Sequence, residues 1–312
     1  MQPYFIYHMP AFNFPDAAPE HIFDHVVENT LAAESAGFDL VTVMDHFYQI
    51  RGVGPEEAPM MEAYTTLGAL AARTTRVKLG VMVTGVTYRN PAMLAKLVTT
   101  LDVISKGRAV LGLGGAWNED EHRGYGFEFP EVPERLNRLD EALQICRLMF
   151  TEDRPSFEGR YYRIERALNV PRPIQPGGPP ILIGGAGERR TLRLLAKYGD
   201  MGNWFGGLDE LKHKRQVFLE HCEVVGRDPS EVRLTVMAPV VLAKTAEEGQ
   251  RIVEGLLPER RVGLTVGTPE QCAAALQPYL EAGFSGFVLR NPGMLTPESL
   301  GFAGELIALM RS

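Results

Sequence analysis

Cysteine is scarce in this sequence. Three occur among 312 residues, Cys146, Cys222 and Cys272, far apart and odd in number. That excludes a disulfide framework and predicts reduced, structural thiols in a cytoplasmic protein. Long apolar runs are missing as well: no stretch of eighteen such residues predicts a membrane-spanning helix. The opening Met1-Gln2-Pro3-Tyr4 lacks the charged and apolar regions of a secretory signal. There is no excess of positive charge, because the formal net charge is -7. A nucleic-acid partner, which would need a basic stripe, is therefore not expected. A small anionic ligand stays compatible, since one site can be locally positive. No GxxxxGK[ST] phosphate loop occurs, which argues against nucleotide hydrolysis of that type.

What is present is ordinary core-forming material, 45% hydrophobic and 23% charged. Short apolar stretches alternate with amphipathic ones. The expected strands are Tyr4–His8, Leu40–Met44, Val77–Val83, Ala109–Leu113, Ile181–Gly184, Met201–Phe205, Leu234–Ala243 and Gly286–Arg290. Helical spacing is clearest over Pro91–Lys106, where Leu94, Leu97, Val98, Leu101 and Ile104 recur. Asn90 can cap that helix and Pro91 suits its first position. Arg135–Phe150 repeats the pattern. Eight strands alternating with helices predict an α/β fold, a closed (β/α)8 TIM barrel; an open doubly wound sheet is the alternative. Residues 152–180 are rich in proline and glycine and read as an insertion on a single 1–312 domain, with a short hairpin over Phe157 to Ile164.

Active sites of such barrels are built from the loops after the strands. Asp45 and His46 follow the second strand. Burying charge costs several kcal/mol unless it is paired, so the two should face a cavity. Thr84, Thr87 and Arg89 follow the third strand, and "GLGGAWNEDEH" (112–122) the fourth. "GGAGERR" (184–190) follows the fifth, where backbone N–H groups at a helix start suit a phosphate or carboxylate. Trp204 and Phe205 follow the sixth. Position 117 is Trp, so the glycines at 112, 114 and 115 do not complete a dinucleotide fingerprint. Glu119 and His122 lack a second cluster at ligand spacing, and acids in a first helical turn suit the helix dipole, so no metal site is expected.

Several stretches together resemble the luciferase-like monooxygenase superfamily, in its F420-dependent oxidoreductase branch. They are "GFDLVTVMDHF" (37–47), "LGVMVTGVTYRNPAMLAKLVTTLDVISKGRAVLGLGGAWNEDEHRGYG" (79–126), "FEGRYY" (157–162), "PPILIGGAGERRTLRLLAKYGD" (179–200) and "VGTPEQCAAALQPYLEAGFSGFVL" (266–289). The resemblance implies a barrel with insertions. It implies coenzyme F420, a 5-deazaflavin, as cofactor, with reduced FMN and oxygen as the alternative. It places a cis peptide at Met82–Val83 and the family histidine at His46, as the catalytic group. Asn118 takes the place of the family's asparagine, and Gly184 and Gly185 those of the phosphate-binding glycines. Thr84 and Asn118 would hydrogen-bond the ring or ribityl chain, Trp117 and Phe205 would exclude water, and Asp45 would fix the tautomer of His46. An acid that some relatives carry is absent at Gly115, with Glu119 a weak substitute. A small organic substrate and a homodimer are expected. A deazaflavin carrier without turnover and a metal-dependent hydrolase are the readings from other classes.

Overall fold

The computed structural model describes residues 2–14, 17–256, 261, 264–289 and 296–312. Eight parallel strands form its centre: β1 (Tyr4–Met9), β2 (Leu40–Val43), β3 (Lys78–Val81), β4 (Ala109–Gly114), β5 (Ile181–Gly184), β6 (Met201–Trp204), β7 (Arg233–Met237) and β8 (Gly286–Leu289). Each pairs with its sequence neighbour, β1 pairs β8, and β3 pairs β4, so the sheet closes. The alternative of an open sheet is thereby corrected: closure leaves no edge strand to cover.

Side chains alternate across a strand, which sorts the apolar residues into two cores. Ile6, Leu40, Val110, Leu182, Met201 and Val288 fill the barrel interior. Val41, Leu79, Leu111 and Ile183 point outward and seat the helices. Each such fully buried chain stabilises the fold by about 1.5–3 kcal/mol. The Pro91–Ser105 helix starts as expected, with Asn90 Oδ1 accepting from Ala92 N at 2.9 Å. It ends at Lys106, which takes the left-handed conformation with φ 59°.

Most strand boundaries differ from expectation by a residue or two. β3 stops at Val81. β6 stops at Trp204, and Gly206 has φ 140°. The stretch expected as one strand over Leu234–Ala243 is two. Pro239 has no N–H to give the ladder, so β7 ends at Met237. Val240–Leu242 then pairs in parallel with Thr265–Gly267 in a separate small sheet. Arg290, expected to close β8, lies outside the described residues. The segment 152–180 carries the expected hairpin, Phe157–Glu158 against Arg163–Ile164. It is stitched to the barrel through Asn169, which donates to Thr99 Oγ1 and to the Met149 carbonyl. Asp102 also holds it, accepting from the N–H groups of Ile174 and Gln175.

Candidate active site

Asp45 and His46 leave β2 side by side and then part. Asp45 Oδ2 accepts from Arg89 Nη1 at 2.7 Å and from the Gly85 N–H at 3.2 Å. Burial pushes the Asp45 carboxyl up to about 6, and the arginine beside it pulls back only part of that rise. His46 turns the other way: its Nδ1 lies 2.7 Å from Glu121 Oε2. Asp45 therefore does not fix the tautomer of His46. Consecutive residues of an extended chain point to opposite sides, and Arg89 takes the acid.

Glu121 is fully buried. Its Oε1 accepts from Phe47 N at 2.6 Å and Tyr48 N at 3.3 Å, and its Oε2 from Tyr88 Oη at 3.1 Å. Burial alone would raise this carboxyl. The His46 hydrogen bond and charge, with the two N–H donors, outweigh burial and hold it below the usual carboxylate range. From the sequence, the acids of this first helical turn are accounted for by the helix dipole. The Glu119–Tyr125 helix instead lies flat on the loop after β2, because Gly124 lets it approach: a Cβ there would meet Tyr48 Oη at 1.8 Å. Gly124 and Tyr125, three and four residues beyond Glu121, share its helix face and were the available signal. Phe47 stacks on Tyr125 and Phe127 around this contact.

The neighbouring His122 is also buried, and both its ring nitrogens are engaged. Nδ1 is 2.6 Å from the Asn118 carbonyl and Nε2 is 2.7 Å from Thr87 Oγ1. Among the described residues, no group of three or more His, Cys, Asp or Glu is placed to hold a metal ion.

The Met82–Val83 peptide is cis. Val83 then projects over the barrel mouth, where a Cβ at Gly114 or Gly184 would lie 2.7 or 2.6 Å from its Cγ2. Gly184 thus makes room for Val83. Gly185 has φ 102°, a left-handed conformation that suits glycine. Among the described residues, the N–H groups of Gly185, Ala186 and Gly187 donate to no backbone carbonyl. The helix expected to open there begins later, at Thr191. Asn118 sits half-buried before the Glu119–Tyr125 helix with its side chain making no capping bond. Thr84 is placed differently: it is fully buried, its hydroxyl 2.7 Å from Tyr64 Oη.

Aromatic surface stands open here. Trp117 is 62% exposed and Phe205 is 71% exposed. Trp117 meets His46 edge-on at 5.3 Å between centroids. Trp204, by contrast, is fully buried between Phe218 and Phe284. Exposed aromatic surface beside a half-buried, hydrogen-bonded histidine and free backbone donors is the make-up of a small-molecule site. Such a set can take an anion on the 185–187 loop, cover a flat ring system, and hold or move a proton at His46.

Known proteins are similar to this chain in sequence and in fold. The chain is 31% identical to an F420-dependent glucose-6-phosphate dehydrogenase of Kineococcus radiotolerans, with 94% of each chain covered. Its fold matches a solved F420-dependent secondary alcohol dehydrogenase in complex with an F420-acetone adduct, with a TM-score of 0.79 at 20% identity over 100% of both chains. It matches a monooxygenase from Streptomyces bottropensis with a TM-score of 0.82 at 20% identity, over 99% of this chain and 100% of that one. At such identity these two structures speak for the fold alone. The model of the luciferase-like monooxygenase family matches residues 4–262, and the chain belongs to that family.

Proposed function

We propose that the protein is an F420-dependent oxidoreductase that passes hydride between coenzyme F420 and a small organic substrate. The observation that carries this reading is its 31% identity, over 94% of its length, to an F420-dependent dehydrogenase. The site fits the cofactor. The free N–H groups of Gly185 to Gly187 would take its phosphate. The Asn118 amide would hold the ring or ribityl chain, and Trp117 and Phe205 would cover it. Met82 and Val83 would lie beneath it. When bound, F420 supplies a ring carbon that accepts or gives hydride; the protein's part is to bind, orient and exclude water. His46 holds or moves the substrate's proton, a task suited to an imidazole. Asp45 with Arg89, and Thr84 with Tyr64, support the loops that carry these groups.

Titration with F420 and with FMN, followed by fluorescence quenching, tests the reading. Saturable F420 binding with weak FMN binding is expected. Tight FMN binding with no response to F420 would replace the proposal with the flavin monooxygenase alternative.

No helix among the described residues is long and apolar enough to cross a membrane. A homodimer is part of the same reading. Met93 and Ile104 are exposed on one face of the Pro91–Ser105 helix, and Val170 and Ile174 are exposed in the insertion that Lys96 contacts. A second copy would cover this apolar strip, and light scattering at twice the chain mass is the expected result.

A further inference from the structure

We propose that Glu121 is the positioning residue for His46, fixing the imidazole with its proton on Nδ1 and leaving Nε2 as the acceptor at the barrel mouth. The argument is geometric. Glu121 is reached by four donors from two separate loops: His46 Nδ1, Phe47 N and Tyr48 N after β2, and Tyr88 Oη after β3. A carboxylate with that many donors is an acceptor only. Nδ1 at 2.7 Å must then carry the hydrogen, and in the neutral ring that leaves Nε2 without one. Nε2 has no partner among the described residues.

The other groups around His46 do not compete for this role. Asp45 is held by Arg89 and Gly85 N. Arg89 is shared between Asp45 and Glu62. Tyr88 donates to Glu121 itself, and Tyr48 Oη donates to the Asp120 carbonyl. Trp117 meets the imidazole in a T-shaped ring contact. Glu121 has a second role. It ties the loop after β2, the loop after β3 and the helix after β4 to one buried atom group, so the placement of His46 is set by three segments at once. The missing acid at Gly115 gives this added weight. A Cβ at that position would meet Leu136 Cδ2 closely, at 3.2 Å, and the glycine there brings no carboxyl to share proton handling.

The inference rests on His46 being the proton-handling group, but it is tested without cofactor or turnover. Nitrogen NMR of histidine-labelled protein, at a pH where the ring is neutral, reports which nitrogen carries hydrogen. The native protein should show His46 protonated at Nδ1. In Glu121→Gln the amide NH₂ would face Nδ1, so the hydrogen should move to Nε2. Tyr88→Phe removes one donor to the same carboxylate and should leave the native tautomer in place. A native spectrum with the hydrogen on Nε2 would overturn the proposal, and this arm needs no variant to fold. A folded Glu121→Gln protein that keeps the native tautomer would overturn it equally. With F420 and a turned-over substrate, Glu121→Gln should lower the rate by about 10²–10⁴-fold, the range for losing correctly placed acid–base help. Loss of F420 binding in the native protein would instead count against the cofactor reading alone.

Discussion

The two ends of the barrel use their carboxylates in opposite ways. At the upstream end, acids close the structure. Asp39 accepts from Phe5 N and pairs with Arg311. Asp102 accepts from Ala109 N, Ile174 N, Gln175 N and Gln175 Nε2. Asp200 accepts from Ile181 N and from Arg147. Each joins a strand start to a helix or loop. At the downstream end, Asp45 and Glu121 also sit buried, but they support loops rather than strands. Beside them lie half-buried His46, the open aromatic surface of Trp117 and Phe205, and free backbone donors. One end is saturated with internal partners, while the other keeps capacity for a ligand. The comparison teaches that burial of an acid does not mark function; what its partner leaves unsatisfied does.

The largest expected break in this comparison is His46→Ala. It should lower turnover by about 10²–10⁴-fold while leaving F420 affinity and thermal stability near native, as read by steady-state kinetics, titration and melting. The mirror experiment is Asp102→Ala at the upstream end. It strands several buried N–H groups and should cost about 2–4 kcal/mol of stability in denaturant unfolding, with the turnover of folded protein retained.

A third test uses pH. The Asp45 carboxyl lies at about 6 in the fold against an ordinary 3.8, so the native state binds its proton at a pH where the unfolded chain has lost it. Its contribution to stability therefore declines as pH rises between those values. Comparing unfolding of native and Asp45→Asn protein across that window should show a slope of native sign that the variant lacks, on the order of 2 kcal/mol at most. Glu121 has the opposite sign: its lowered value makes its contribution fade as pH falls below the ordinary 4.5. The smallest effect is expected from Phe205→Ala, which should weaken F420 binding by about 1 kcal/mol through lost ring contact, without altering the melting point.

Much of the fold was legible because its signals are local and periodic. β1, β2, β4 and β5 follow from apolar runs, and the Asn90 cap and the 157–164 hairpin follow from turn chemistry. The small sheet of Val240–Leu242 with Thr265–Gly267 was not, since one proline decides that the run before it ends. The rim was legible as a set of segments. Its wiring was not. Adjacent in sequence, Asp45 and His46 suggested a pair, yet the partner of His46 lies 75 residues away at Glu121. The second role of Gly184, yielding space to Val83, likewise depends on a contact across the mouth that no spacing encodes.

A crystal structure of the protein with F420 bound is the measurement closest to the central claim. It should show the phosphate on the N–H groups of residues 185–187 and the ring over Met82–Val83 with His46 Nε2 facing the substrate space. Cofactor bound away from this rim, with His46 remote from its ring, would contradict the account.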